Sequence, residues 1–140
     1  VSTLQRVAGR PTWLLGRANA RSHALLTDAF AAEGFRGYHF RVLAALDQFG
    51  PTSQADLGRQ TGIDRSDVVA TVNELVAKHL AVRAPDESDR RRNVITLTRR
   101  GTAALERLDG VLGEVQDTVL ESLTPTERKT LLRLLAKIAD

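Results

Sequence analysis

The chain contains no cysteine. That excludes disulfides, thiolate redox sensing and zinc held by thiolates. Aromatic residues are only 4% of its 140 residues, so the core must be aliphatic, built from Leu, Val and Ala. No apolar run approaches the roughly 18 residues of a membrane span. The opening VSTLQRVAGRPTW has no apolar stretch of signal-peptide length. The expectation is a cytoplasmic chain with no membrane partner. His23, His39 and His79 lie in three separate segments without ligand spacing, so no metal is expected. There is no glycine-rich phosphate loop. Ser22 and His23 are neighbours only in sequence, which sets no catalytic geometry. Neither a cofactor nor enzymatic activity is expected.

What is present is an ordinary globular composition, 42% hydrophobic and 26% charged. The length suits one domain with a real core. A net charge of +3 tilts the surface mildly toward polyanions.

Periodicity and breakers predict six helices. Residues 1–11 read as a loose arm ending at Pro11. A first helix runs from Thr12 to about Ala32, with Leu14, Leu15, Ala18, Leu25, Leu26, Ala29 and Phe30 on a broad stripe. Gly34 and Gly37 punctuate the chain before a second helix, Tyr38 to Phe49, which Gly50-Pro51 stops. Ser53 begins a short third helix as its cap, with Asp56 completing a capping box. Thr61-Gly62 makes the turn. Asp64 then caps a fourth helix reaching Lys78 or His79, with Asp67 favoured by the helix dipole. Val68, Val72, Leu75 and Val76 share one side of that helix. The other side carries Ser66, Asp67, Ala70, Asn73 and Glu74. Such small or polar side chains suit a groove floor, or simply a solvated face.

The richest stretch is Leu80 to Gly101, LAVRAPDESDRRRNVITLTRRG. Leu80, Val82 and Ala84 alternate with Ala81 and Arg83, and Val94, Ile95 and Leu97 form a returning strand. The tip between them holds Asp89, Arg90, Arg91 and Arg92. Thr98 caps a fifth helix, Arg99 to Ser122. Thr124-Pro125-Thr126-Glu127 opens a sixth. The fold expected is mainly α with a small β-hairpin wing: a winged helix-turn-helix with N- and C-terminal dimerisation helices. This shape reads duplex DNA, one element in the major groove and the hairpin at a neighbouring minor groove.

Leu105, Leu108, Leu112, Val115 and Val119 step three and four residues apart, as in a coiled-coil seam. The sixth helix adds Leu131, Leu134, Leu135 and Ile138. A second copy would cover this excess apolar stripe; the alternative is three helices packed within one chain. Gly110 and Gly113 interrupt the fifth helix, at about 1 kcal/mol each against alanine.

The chain resembles the MarR family, winged helix-turn-helix dimers that regulate transcription. The resemblance spans nearly the whole chain. It is most specific at Asp89-Arg90-Arg91, followed by Asn93-Val94-Ile95-Thr96-Leu97-Thr98 and Gly101, which resembles the family's D-x-R wing and L-T-x-x-G exit. Ser53 to Ile63 resembles the family's first helix and turn. The resemblance implies three segments: an arm and dimerisation helix (1–36), a DNA-binding lobe (37–98) and C-terminal dimerisation helices (99–140). It implies a homodimer on a pseudo-palindromic operator, a repressor released by a small aromatic or anionic effector, with an activator as the alternative.

Carried over by position, Arg91 matches the arginine that enters the minor groove, and Asp89 the aspartate that orients it. A narrow groove concentrates negative potential and suits a guanidinium. Arg90 and Arg92 would contact phosphates. Ser53, Gln54, Arg65, Ser66, Asp67, Ala70, Thr71 and Asn73 complete the expected double-stranded DNA surface. Arg65 leads as a base-edge contact, with a phosphate contact or plain surface charge as the alternative.

Two positions depart from the family. Asn73-Glu74 stands where Asp-Arg is usual, and His79 where glycine is usual; His tolerates a left-handed backbone better than most residues. Many family members bind small aromatic acids or phenols. Trp13, Arg17, His23, Tyr38, His39 and Phe40 fall in the segments that would line such an effector site. Ordinary core or surface roles are the alternative for each. A different class of function also stays open: a winged-helix interaction module gripping an acidic protein partner.

Overall fold

The computed structural model describes residues 4–140. In chain order the elements are α1 (Gln5–Ala8), α2 (Pro11–Ala32), α3 (Gly37–Phe49), β1 (Thr52–Ser53), α4 (Gln54–Thr61), α5 (Arg65–Ala77), β2 (Ala81–Pro85), β3 (Asn93–Leu97), α6 (Arg99–Val119) and α7 (Pro125–Ala139). A mainly helical chain with a small sheet is what the periodicity implies. Residues 4–11 are not a loose arm: they hold the single turn α1, and Pro11 starts α2 at its first position. The expected fourth helix is therefore α5.

The sheet has three strands rather than two, in the order β1-β3-β2 and antiparallel throughout. Thr52 pairs with Ile95 and Ser53 with Val94. A two-residue strand has no periodicity to read, so β1 escapes a sequence pattern. It matters because it ties the start of α4 to the base of the hairpin. Within β2 the inward residue is Ala81, whereas Val82 is half-exposed.

The core gathers Phe30 from α2, Val42, Leu43 and Leu46 from α3, Leu57 from α4, and Val68, Val72 and Leu75 from α5. Ile95 and Leu108 close it from β3 and α6. Leu108 is fully buried inside one chain, and Leu105 and Leu112 pack against the same cluster. This corrects part of the expected intermolecular seam. A three–four spacing marks a helix face that is covered, without saying by which chain. In α6 the cover comes in large part from α2 and α3.

Side-chain caps set the starts of α4, α6 and α7. Ser53 Oγ accepts from the Asp56 amide at 3.2 Å. Asp56 does not return the bond to the backbone; its carboxylate takes the Ser53 hydroxyl at 2.9 Å. Asp64 stands at the N-cap of α5 but its side chain makes no cap bond. Thr98 Oγ1 accepts from the Gly101 amide, and Thr124 with Glu127 forms a full capping box.

The joint between α5, the hairpin and α6 is tight. His79 adopts φ 62°, the left-handed conformation. Its amide donates to Val76 O, and the Leu80 amide to Leu75 O, the paired bonds of a Schellman motif. Leu80 O then accepts from the Thr98 amide at 3.1 Å. A Cβ on Gly101 would lie 2.0 Å from that same oxygen. Glycine at 101 is thus a steric requirement of the joint.

Candidate nucleic-acid interface

The basic tip is a structured loop. The Asp86 amide donates to Arg92 O at 2.8 Å and the Arg92 amide to Asp89 O at 3.0 Å. Ser88 donates both its amide and its hydroxyl to Asp86 Oδ1. Asp89 Oδ1 accepts from the Arg91 amide and from Arg91 Nε, each at 3.1 Å, and Asp89 Oδ2 accepts from Arg91 Nη2 at 3.3 Å. The Arg91 guanidinium holds the Asp89 carboxyl below its ordinary pKa, with the Arg91 amide next in weight. Yet the Arg91 side chain is 91% exposed. A guanidinium already held by Asp89 yet open to solvent is oriented in advance of meeting a groove and loses less entropy there. Arg90 is exposed. Arg92 leans back toward Asp56 of α4, 3.8 Å away and half-exposed.

On α5 the two faces separate cleanly. Val68, Thr71, Val72 and Leu75 are buried. Arg65, Ser66, Val69, Ala70 and Asn73 are exposed, and Asp67 is half-buried. Thr71 cannot touch DNA as expected: it is fully buried, three residues after Val68 and four before Leu75. Its hydroxyl has no hydrogen-bond partner among the described residues. Val69 is the residue that pattern-reading missed. It is apolar but out of phase with the core positions, and that phase was its available signal.

Glu74 also leaves the exposed face. It turns to α3, where its carboxylate accepts from Arg36 Nη2 at 2.7 and 2.8 Å and meets His39 Nε2 at 2.5 Å. His39 is buried. Its Nδ1 accepts from the Arg36 amide at 2.9 Å. One acceptor and one donor nitrogen make it a neutral imidazole, and burial outweighs Glu74 in holding its pKa below the ordinary value. The pairing with Arg36, then with His39, lowers the pKa of Glu74. An acidic residue at position 74 is matched by a cation and a donor on α3.

Arg83 of β2 ties the interface together. Its Nε donates to Gln54 Oε1 at 2.9 Å and its Nη2 to Asn73 Oδ1 at 2.6 Å. One side chain thereby joins α4, α5 and the wing. Nothing in the sequence pattern distinguished Arg83 from any other strand arginine.

The six residues expected around an effector do not converge within one chain. Trp13, Arg17 and His23 lie exposed on α2, and His39 is engaged with Glu74. Tyr38 stacks under Arg41 at 5.4 Å, and Phe40 packs on Phe30 at 5.6 Å. Phe40 does border a hollow, but Asp47, Glu106 and Asp109 line it too, which repels an anion. Among the described residues no group of three metal-ligating side chains gathers, and no helix is long and apolar enough to cross a membrane.

A sequence model of the MarR family matches residues 34–92. The HTH-type transcriptional repressor NicR of Pseudomonas putida is 32% identical over 127 residues, covering 91% of this chain and 80% of that repressor. This chain belongs to the MarR family. Among solved structures, CouR, a transcriptional repressor bound to a 23-mer DNA duplex, superposes with a TM-score of 0.87. It is 28% identical, and the match covers 100% of this chain and 99% of that one. BpsR of Bordetella bronchiseptica, whose DNA binding is regulated by 6-hydroxynicotinic acid, has a TM-score of 0.81. It is 28% identical, and 99% of each chain is covered. At the joint before the wing, His79 takes the left-handed backbone conformation that glycine adopts most readily.

Proposed function

We propose that this chain is a ligand-responsive transcriptional repressor that acts in the cytoplasm as a homodimer on a pseudo-palindromic operator. The observation that carries this is Arg91: open to solvent and braced by Asp89 at the tip of the wing. In this reading α5 lies in a major groove with Arg65, Ser66, Asp67, Ala70 and Asn73 toward the bases, while Gln54 sits at the backbone; Ser53, expected there too, is buried with its hydroxyl committed to Asp56 and is not part of that surface. Arg91 occupies the flanking minor groove, and Arg90 and Arg92 neutralise phosphates. The second copy docks on segments 1–36 and 99–140. Support comes from α7, which has no buried residue although Leu134, Leu135 and Ile138 lie along it. The remaining seam positions, Leu105, Leu112, Val115, Val119 and Leu131, are half-buried.

A mobility-shift titration against DNA upstream of the protein's own coding region tests this reading. Specific retardation at physiological salt is expected, with affinity falling steeply as salt rises. Absence of any specific complex at micromolar protein would overturn it in favour of an interaction module. That rival has lost one support, because Glu74 is paired with Arg36 and His39 rather than offered on the exposed face. The effector is proposed to be a small aromatic carboxylic acid, by analogy with BpsR. Since the aromatic set does not converge in one chain, its site needs the partner's surface. Adding 6-hydroxynicotinic acid to the preformed complex should release the DNA; unchanged binding at millimolar acid would remove this ligand class.

A further inference from the structure

The exposed face of α5 is chemically lopsided. Val69 is 37% exposed, beside Ala70 and in a shallow hollow with Asp64, Arg65 and Ser66. Among the described residues nothing fully covers this β-branched apolar side chain. One turn on, the two carboxamides have fixed orientations. Arginine carries only donors, so Asn73 and Gln54 must each turn the oxygen to Arg83. Their NH2 groups have no protein partner among the described residues. The edge of α5 nearest the wing therefore offers donors, and its middle offers methyl groups.

In a major groove one base answers both features. Thymine shows a C5-methyl and the O4 acceptor, whereas adenine and cytosine show amino donors there. We infer that Val69 is a thymine-reading residue, packing on the base methyl while Arg83 positions the Asn73 amide to donate to a neighbouring keto oxygen. This rests on the reading that α5 enters a major groove. It makes Val69 a specificity-determining side chain and Arg83 a positioning one.

The test uses the full chain and a library of duplexes with randomised interiors. Once the selected duplex is known, each thymine in turn is replaced by deoxyuridine, which deletes the methyl alone. At one thymine per half-site the wild type should lose roughly fourfold in affinity, the weight of one buried methyl. Val69→Ala should bind the thymine duplex more weakly and lose less than about twofold further on deoxyuridine. Its melting temperature checks the fold, which an exposed position should leave intact. If no deoxyuridine matters, or Val69→Ala suffers the full penalty too, the inference is overturned. If the wild type enriches no sequence, the DNA-reading proposal falls with it.

Discussion

Two regions project from the core with opposite chemistry. The wing tip is charged, with Arg91 held by the Asp89 carboxylate and the loop closed by backbone bonds between Arg92 and both Asp86 and Asp89. Helix α7 is amphipathic and leaves Leu132 at 68%, Leu134 at 46% and Ile138 at 63% exposure. Charge in water costs nothing, so the ordered wing signals a partner only because something spent on ordering it: a carboxylate placed to brace a guanidinium. A contiguous row of exposed Leu and Ile side chains along one helix favours a cover, since complete burial of each such side chain is worth up to about 1.5–3 kcal/mol. In the proposed function the first region meets a polyanion and the second an apolar surface. A single chain satisfies neither.

Mutations can separate the two. The largest effect is expected from the pair Leu134→Asp and Ile138→Asp, which places charges in the proposed apolar contact. Sedimentation should show self-association weakened by about a hundredfold or more, with helix content retained. A chain that stays dimeric would remove α7 from the interface.

Next is the joint between the regions. Gly101→Ala should cost about 2–3 kcal/mol in denaturant unfolding, because the added methyl meets Leu80 O, a backbone atom that cannot step aside. A near-neutral result would mean that the corner is looser than its geometry indicates.

Arg91→Ala should weaken operator binding by more than about tenfold while dimerisation survives. Equal affinity would show that the wing does not carry the minor-groove contact.

The smallest effect concerns pH. Buried His39 has a folded pKa below its unfolded value of 6.5. The unfolded state then binds the proton more readily, so stability is full above 6.5 and declines as pH falls below it. Protonation would also silence Nδ1 as acceptor for the Arg36 amide. Glu74, also lowered, adds a second decline below 4.5. Melting temperatures across this range should fall less steeply in His39→Gln; parallel profiles would contradict the assignment.

The contrast between the two regions also separates what the sequence could disclose from what it could not. The wing tip and its exit were legible because the D-x-R brace and the threonine cap are local, whereas Gly101 meets Leu80 O, twenty-one residues away, and the strand β1 left no pattern. The α6 stripe was visible as a stripe, but its owner was not. Leu108 belongs to the core of its own chain, and periodicity cannot name the chain that covers a face. Thr71 looked like a surface polar residue because its type outvoted its phase. Val69 escaped for the opposite reason, an apolar type at an exposed phase. Long-range side-chain ties such as Arg83 with Gln54 and Asn73, or Glu74 with His39, join positions many residues apart, and a single sequence has no signal for them.

A hydroxyl-radical footprint on the selected duplex tests the central claim most directly. The account predicts two equivalent protected segments whose major-groove centres lie about one helical turn (~34 Å) or a multiple of it apart. Each should be flanked on its outer side by minor-groove protection that Arg91→Ala removes. A single unsymmetrical patch, or flanking protection that persists without Arg91, would contradict it.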